Sequence, residues 1–246
     1  MNILVVNDDG IEAEGIKILA KSLIPYGNVF VVAPNKCRSA ASHSITFGTI
    51  SFNSVSVIKG ADCYSCSGMP VDCVRLSTSI LRKNFDLVFS GINNGLNCGT
   101  DIVYSGTVAA AKEAIIEGIP GIAISTDHDS FDIAKNEIDD CIKFIMDNKL
   151  YSLDYVLNVN FPTKDFKKSL GYRFTKQGIK SFKTEYMKNN EGSYDVLEDI
   201  ITFDTDPDCD VSLGRMGYTT FVPVGVDQTN HKFVDKLKEY NKWNFI

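Results

Sequence analysis

The chain has 246 residues, 44% of them hydrophobic, and its 25 Lys and Arg against 31 Asp and Glu give a formal net charge of -6. That length can bury one large core, and an acidic balance without a basic block excludes a nucleic-acid duplex or an anionic membrane as the main partner. No leader-like segment precedes Asp8 and no apolar run approaches a membrane span, so a cytoplasmic protein without membrane contact is expected.

Ile3, Leu4, Val5 and Val6 form a continuous run rich in branched side chains, the pattern of a buried strand in a parallel sheet. The run leads directly into Asn7, Asp8, Asp9 and Gly10, which puts two carboxylates at the strand's carboxyl end, where open α/β sheets bind ligands. Adjacent residues of a strand point to opposite faces. Both carboxylates can serve one site only if the chain turns there, and Gly10 supplies a turn. Two close anionic groups repel unless a cation or shared proton compensates, so the pair reads either as a metal site or as the acidic start of the next helix. That helix is predicted over residues 12–22, with Ile16, Leu19, Ala20 and Leu23 at helical spacing and Pro25 and Gly27 ending it. A second buried strand at 29–33, closed by Pro34, completes a βαβ unit with an expected right-handed crossover.

Residues 35–44 are polar and rich in hydroxyls, and they leave the second strand on the same sheet edge as Asp8 and Asp9. Ser39 reads as a nucleophile with His43 as base, or as a neutral oxygen ligand for a hard cation; the G-x-S-x-G elbow of serine hydrolases is absent. His43 alone reads chiefly as a structural histidine. Residues 45–58 suggest paired short strands with Asn53 in the turn. Cys63, Cys66 and Cys73 resemble part of a zinc pattern but lack a fourth ligand at matching spacing, and Cys73 falls in a helix predicted over 71–81. His43, His128 and His231 are too far apart for a local zinc motif. The seven cysteines, an odd count in a large chain, are expected as reduced thiols.

A third parallel strand at 86–90 leads into a loop at 91–101, where Gly91, Gly95 and Gly99 alternate with asparagines. Such a loop can approach a ligand closely. It is not the dinucleotide fingerprint, and no Walker A pattern occurs, so nicotinamide and P-loop chemistry are not expected. Ser105, Gly106 and Thr107 open a helix running to Gly118. The triplet reads as a Ser N-cap or as a phosphate cradle of free N–H groups at a positive helix end; its position after the Gly/Asn loop favours the cradle.

Strands at 121–125 and 155–161 flank an amphipathic helix at 133–146. Beyond Pro162 the alternation gives way to short polar-interrupted strands at 172–175, 200–203 and 218–224. Asp204, Asp206, Asp208 and Asp210 lack the calcium-loop glycine (Cys209 stands there) and glutamate (Arg215 stands there), so a solvated loop is expected. A terminal helix over 231–243 places Phe233, Leu237 and Tyr240 on one packing face. The expected fold is a three-layer α/β/α Rossmann-like, mostly parallel sheet: a catalytic core over 1–162, then a β-rich extension and C-terminal helix over 163–246 that complete the same domain and mediate oligomerisation.

Several motifs in order now resemble a known family, the SurE survival-protein nucleotidases. They are Asn7-Asp8-Asp9-Gly10, Arg38-Ser39-Ala40-x-Ser42-His43-Ser44-Ile45-Thr46, Pro70-x-Asp72-Cys73-Val74, Ser90-Gly91-Ile92-Asn93-x-Gly95-x-Asn97-x-Gly99-x-Asp101 and Tyr104-Ser105-Gly106-Thr107-Val108-x-Ala110-Ala111. Residues 1–125 carry nearly all of the likeness; Ala40 and Ala114 stand where the family pattern expects glycine. The resemblance implies a metal-dependent phosphatase acting on nucleoside 5′- or 3′-monophosphates through a metal-activated water. It implies one divalent cation per subunit, Mg2+ or Mn2+, on Asp8, Asp9, Ser39 and Asn93, an all-oxygen set completed by waters. It also implies phosphate contacts from Asn97, Ser105, Gly106 and Thr107, catalytic roles for Asp8, Asp9 and Asn97, and a homodimer or homotetramer. No loop marks a base-specific pocket, so broad substrate tolerance is expected. A response-regulator receiver would need a phospho-accepting Asp near position 55, which residues 52–58 lack, and a haloacid-dehalogenase-type phosphatase needs D-x-D rather than adjacent acids. A non-catalytic nucleotide- or phosphate-binding protein would bind without turnover.

Overall fold

The computed structural model describes residues 1–240. Among these, eleven strands follow one another as β1 (Asn2–Val6), β2 (Asn28–Pro34), β3 (Phe52–Val55), β4 (Ala61–Cys66), β5 (Leu87–Asn94), β6 (Gly121–Thr126), β7 (Val156–Asn160), β8 (Tyr172–Phe174), β9 (Lys180–Lys188), β10 (Tyr194–Phe203) and β11 (Thr219–Val224). Nine of them form one sheet in the order β3-β4-β2-β1-β5-β6-β7-β11-β8, while β9 and β10 pair as a separate antiparallel hairpin. From β4 through β7 every neighbour is parallel.

Both faces of β1 are covered, which explains its continuous apolar run. Ile3 and Val5 share a core with α1 (Glu14–Leu23) and α4 (Asp132–Asp147), whereas Leu4 and Val6 face α2 (Pro70–Ile80) and α3 (Gly106–Ile116). All four are fully buried, and each such side chain contributes roughly 1.5–3 kcal/mol by leaving water. The α/β/α layering and mostly parallel sheet match the sequence reading. The chain winds outward from β1 through β2 and β4, then in the other direction through β5, β6 and β7. The strand order therefore reverses between β1 and β5, and the crevice outside their carboxyl ends is where such sheets bind ligands.

Several expectations need correction. Asn53 lies inside β3, paired with Ser65 of β4, and not in a turn. β4 itself has no counterpart in the sequence reading, because Asp62, Tyr64 and Ser65 interrupt its apolar pattern. β5 continues to Asn94 rather than ending at Ser90, and its register with β6 slips by one residue between Ser90 and Asn93. A bulge of this kind re-aims the side chains beyond it. The acidic run is not wholly solvated: Asp210 is 1% exposed at the start of the short helix α5 (Asp210–Arg215). In the last helix, α6 (His231–Lys238), Phe233 and Leu237 stay exposed, as does Tyr240 beyond it, so among the described residues they form no buried packing face. The predicted extension of that helix to Trp243 lies outside the described residues.

The region after Pro162 rejoins the main sheet. β11 runs antiparallel to β7 and carries β8 on its other edge. Phe144 of α4 packs against Tyr172 and Phe221 with ring centroids 4.9 and 5.8 Å apart, which fastens these last strands to the helix layer.

Candidate active site

The turn after β1 is closed from both sides by a buried asparagine. Asn7 Nδ2 donates to the Gly10 carbonyl (3.0 Å), and the Gly10 N–H donates to Asn7 Oδ1 (3.1 Å). Gly10 has φ of +112°, a conformation L side chains rarely adopt. The two carboxylates take different partners at the turn. Asp8 meets the start of α3, where Thr107 Oγ1 donates to its Oδ1 at 2.5 Å and the Thr107 N–H is directed at the same carboxylate. Gly106 makes this approach possible, since a Cβ there would sit 3.0 Å from Asp8 Cβ and 3.1 Å from Oδ2. The anion at the positive end of α3 is therefore Asp8. Asp9 accepts a hydrogen bond from the Asn94 N–H (3.1 Å) and lines a neighbouring hollow with Glu14, Asn94 and Asp129.

Burial pushes the Asp8 carboxyl up to about 6, and the nearby Asp9 charge adds to the rise, against the lowering by Thr107. Burial also raises Asp9. Burial thus disfavours the charge that these groups carry at neutral pH. Asn93 sits across the crevice at the end of β5. Its Nδ2 donates to the Gly95 carbonyl (2.7 Å), which turns Oδ1 toward Thr107 Oγ1 (3.3 Å) and Asp8. Two carboxylates, an amide oxygen and a hydroxyl are hard oxygen donors that fit Mg2+ or Mn2+. Among the described residues, no group of three or more His, Cys, Asp or Glu is placed to hold a metal.

Ser39, the fourth expected ligand, lies exposed on the irregular segment 35–51. That segment is fastened at several points. The Arg38 N–H donates to the Asp8 carbonyl (2.7 Å), the Ser42 N–H to the Tyr104 carbonyl (2.9 Å), and the Thr46 N–H to Asp72 Oδ2 (3.0 Å). His43 Nε2 pairs with the buried carboxylate of Glu113 at 2.7 Å. His43 therefore clamps this segment onto α3.

Asp8, Ser39, Asn93, Asn97 and Ser105 line one cleft of about 370 Å3, together with Asp101, Tyr104 and Phe182. Thr107 is fully buried behind Asp8. Asn97 is fixed by its surroundings: its N–H donates to Asn160 Oδ1 (2.8 Å), its Nδ2 to Ser125 Oγ (2.9 Å), and its carbonyl accepts from Asn158 (2.8 Å). Ser105 Oγ accepts from the Val108 N–H (3.0 Å), so this serine caps α3 while facing the cleft.

Sequence reasoning missed the supports that arrive from the distant end of the chain. Asp210 accepts from the Gly99 N–H (3.0 Å) and the Gly178 N–H (2.7 Å), Gln177 Nε2 donates to the Gly99 carbonyl (2.9 Å), and Lys180 pairs with Asp101. Nothing local to these residues announces such contacts. Tyr104 is marked in the sequence by its place immediately before Ser105, Gly106 and Thr107.

A family model described as survival protein SurE matches residues 3–184. The chain is 40% identical over 254 residues to the 5′-nucleotidase SurE of Clostridium beijerinckii, covering 98% of this chain and 100% of that one. It is 38% identical over 250 residues to the 5′-nucleotidase SurE of Clostridium botulinum strain Eklund 17B, covering 97% of this chain and 99% of that one. Among solved structures, the SurE protein from Aquifex aeolicus superposes with a TM-score of 0.81 at 32% identity, over 98% of this chain and 99% of that one.

Proposed function

The chain belongs to the SurE survival-protein family, and from that premise we propose that the crevice between β1 and β5 hydrolyses nucleoside 5′- and 3′-monophosphates to nucleoside and phosphate. The observation that carries the reading is the buried Asp8, which shares one cleft and the Thr107 hydroxyl with the oriented amide oxygen of Asn93. Burial makes the charge on Asp8 and Asp9 costly, and a bound cation would offset that cost.

Asp8, Asp9, Ser39 and Asn93 would hold one divalent cation, Mg2+ or Mn2+. When bound, the cation supplies Lewis-acid polarisation of a phosphoryl oxygen. Thr107 holds Asp8 in one orientation from behind, as partners of metal ligands commonly do. Asn97 and Ser105, which line the cleft, stabilise charge on the phosphoryl oxygens, Asn97 from a side chain pinned before substrate arrives, whereas Gly106 and Thr107, expected beside them, serve Asp8 instead. In net terms, water adds to phosphorus, the bond from phosphorus to the nucleoside oxygen breaks, and that oxygen leaves with a proton.

Oligomerisation through the C-terminal third forms part of the proposal, as a homodimer or homotetramer. It is supported by the β9–β10 hairpin, whose Tyr186, Met187, Tyr194 and Val196 are all more than half exposed, since a lone two-stranded hairpin is marginal in water. A cytoplasmic location is supported by seven free cysteines, and no helix among the described residues is long and apolar enough to cross a membrane.

The test is phosphate release from nucleoside monophosphates with Mg2+ or Mn2+, with chelator, and with Asp9→Asn. Turnover that requires the cation and collapses in the variant is expected. Turnover that survives chelation or ignores the substitution overturns the metal site, and binding without any phosphate release overturns the catalytic reading.

A further inference from the structure

The cleft has two unlike parts. Its floor is polar, made by Asp8, Asn93, Asn97 and Ser105, and its rim carries two aromatic rings, Tyr104 and Phe182. We propose that the base of the substrate stacks between Tyr104 and Phe182, and that stacking rather than edge recognition sets base preference. The inference rests on the nucleotidase reading above and adds the part of the site that distinguishes a nucleotide from other phosphate monoesters.

Tyr104 is 57% exposed although its backbone is fixed on both sides. Its N–H donates to the Asp101 carbonyl (3.0 Å), and its carbonyl accepts from the Ser42 N–H (2.9 Å). An exposed ring on an immobilised backbone costs little entropy to use, having only two side-chain torsions to settle. Phe182 reaches the same cleft from a distant part of the chain, on β9. Alternate residues of a strand share a face, and Lys180, two positions earlier, pairs with Asp101, which lines the same cleft. Lys180 is held further by its N–H donating to Thr100 Oγ1 (3.0 Å). The ion pair thereby fixes where Phe182 enters the rim. Among the described residues no other ring or cation packs on Tyr104 or Phe182.

The polar groups nearby are already engaged. Asn94 donates to Asp9 and to Asp129 and accepts the Asp129 N–H, while Asp101 is occupied by Lys180. No free donor–acceptor pair among these groups faces the rings to read a base edge. Every base has a π-face, so stacking is tolerant of base identity and favours the larger purine surface.

The experiment compares kcat/KM for AMP, GMP, CMP and ribose 5-phosphate in wild type, Tyr104→Ala, Tyr104→Phe and Phe182→Ala, with the divalent cation present. AMP and GMP are expected within about threefold of each other and above CMP. Each alanine variant should lose about tenfold on AMP, carried mainly by KM, as expected for removal of one stacking partner. Ribose 5-phosphate turnover should stay within about twofold of wild type, which also shows that the variants fold, and Tyr104→Phe should match wild type on AMP. Equal losses on AMP and ribose 5-phosphate, or no loss on AMP in either alanine variant, overturn the stacking site. If wild type releases phosphate from none of the four substrates, the nucleotidase reading itself fails.

Discussion

Replacing Asp8 by asparagine should stabilise the cation-free protein while destroying its cation response. Burial and the neighbouring Asp9 raise the Asp8 carboxyl from 3.8 to about 6. The folded state thus holds that proton more tightly than the unfolded chain does, and stability falls as pH climbs from about 4 to about 6. At about 1.4 kcal/mol per pH unit, the full loss is about 3 kcal/mol, and it persists above pH ~6, where the carboxylate is charged in both states. The substituted amide would still offer an oxygen to Thr107 but has no proton to lose. Urea denaturation followed by circular dichroism in chelator, from pH 4.5 to 8, measures the difference. Asp9 titrates in both proteins, so subtracting the two profiles isolates Asp8 and its coupling to Asp9. The Asp8→Asn variant should be flatter through that window and more stable than wild type at pH 7.5 by up to about 3 kcal/mol. Adding Mg2+ should restore about 2.7 kcal/mol to wild type at a hundredfold excess over Kd and nothing to the variant. Parallel pH profiles, or a wild type more stable than Asp8→Asn in chelator at pH 7.5, would mean that the buried carboxylate is not the group disfavoured in the empty crevice.

Thr107→Val keeps the side-chain volume but removes the donor to Asp8; cation affinity by calorimetry should fall about tenfold to a hundredfold, as for other partners of metal ligands, and unchanged affinity would count against the orienting role. Gly106→Ala places a methyl 3.0 Å from Asp8 Cβ, so phosphate release should drop at least tenfold with the circular dichroism spectrum preserved; full activity would mean that α3 can shift freely. Ala40 has φ of 55°, and Ala40→Gly trades about 1 kcal/mol of left-handed strain against a comparable backbone entropy cost. Its denaturation midpoint should barely move, and a tenfold change in cation affinity would show that residue 40 does more than shape the turn.

The central strands were legible because each is buried on both faces and so reads as an unbroken apolar run, as Ile3 to Val6 and Val29 to Ala33 do. That Asp8, Asp9, Ser39 and Asn93 fall on one sheet edge was legible because each follows such a strand, but their choice as a ligand set came from the resemblance to the family. β4 was hidden because its burial is mixed, with Asp62 exposed and Cys63 buried. β9 was missed since almost nothing along it is buried. Thr107 reaches Asp8 across 99 positions and Asp210 reaches Gly99 across 111, and no local periodicity encodes contacts of that span. The sequence favoured a cradle over a cap at Ser105, and the geometry has it capping α3 while lining the cleft, because one oxygen can accept from Val108 with its hydroxyl proton still to give.

The ties between the crevice and the far end of the chain bear on the order of synthesis. All the proposed cation ligands precede Gly99, yet the Gly99 N–H finds its carboxylate only when Asp210 has been made. Until β11 is made, β7 also lacks its partner on that edge of the sheet. A ribosome-bound chain stopped near Phe161 would own every proposed cation ligand and the partners of Asn97, but lack the supports that place Gly99 and Asp101. Such a nascent chain carries an open strand edge beside an unsupported loop, and the site is completed only in the last stretch of translation. A premature stop after Pro162 therefore removes more than an appendage; it leaves the proposed catalytic crevice without its bracing from Asp210, Gln177 and Lys180.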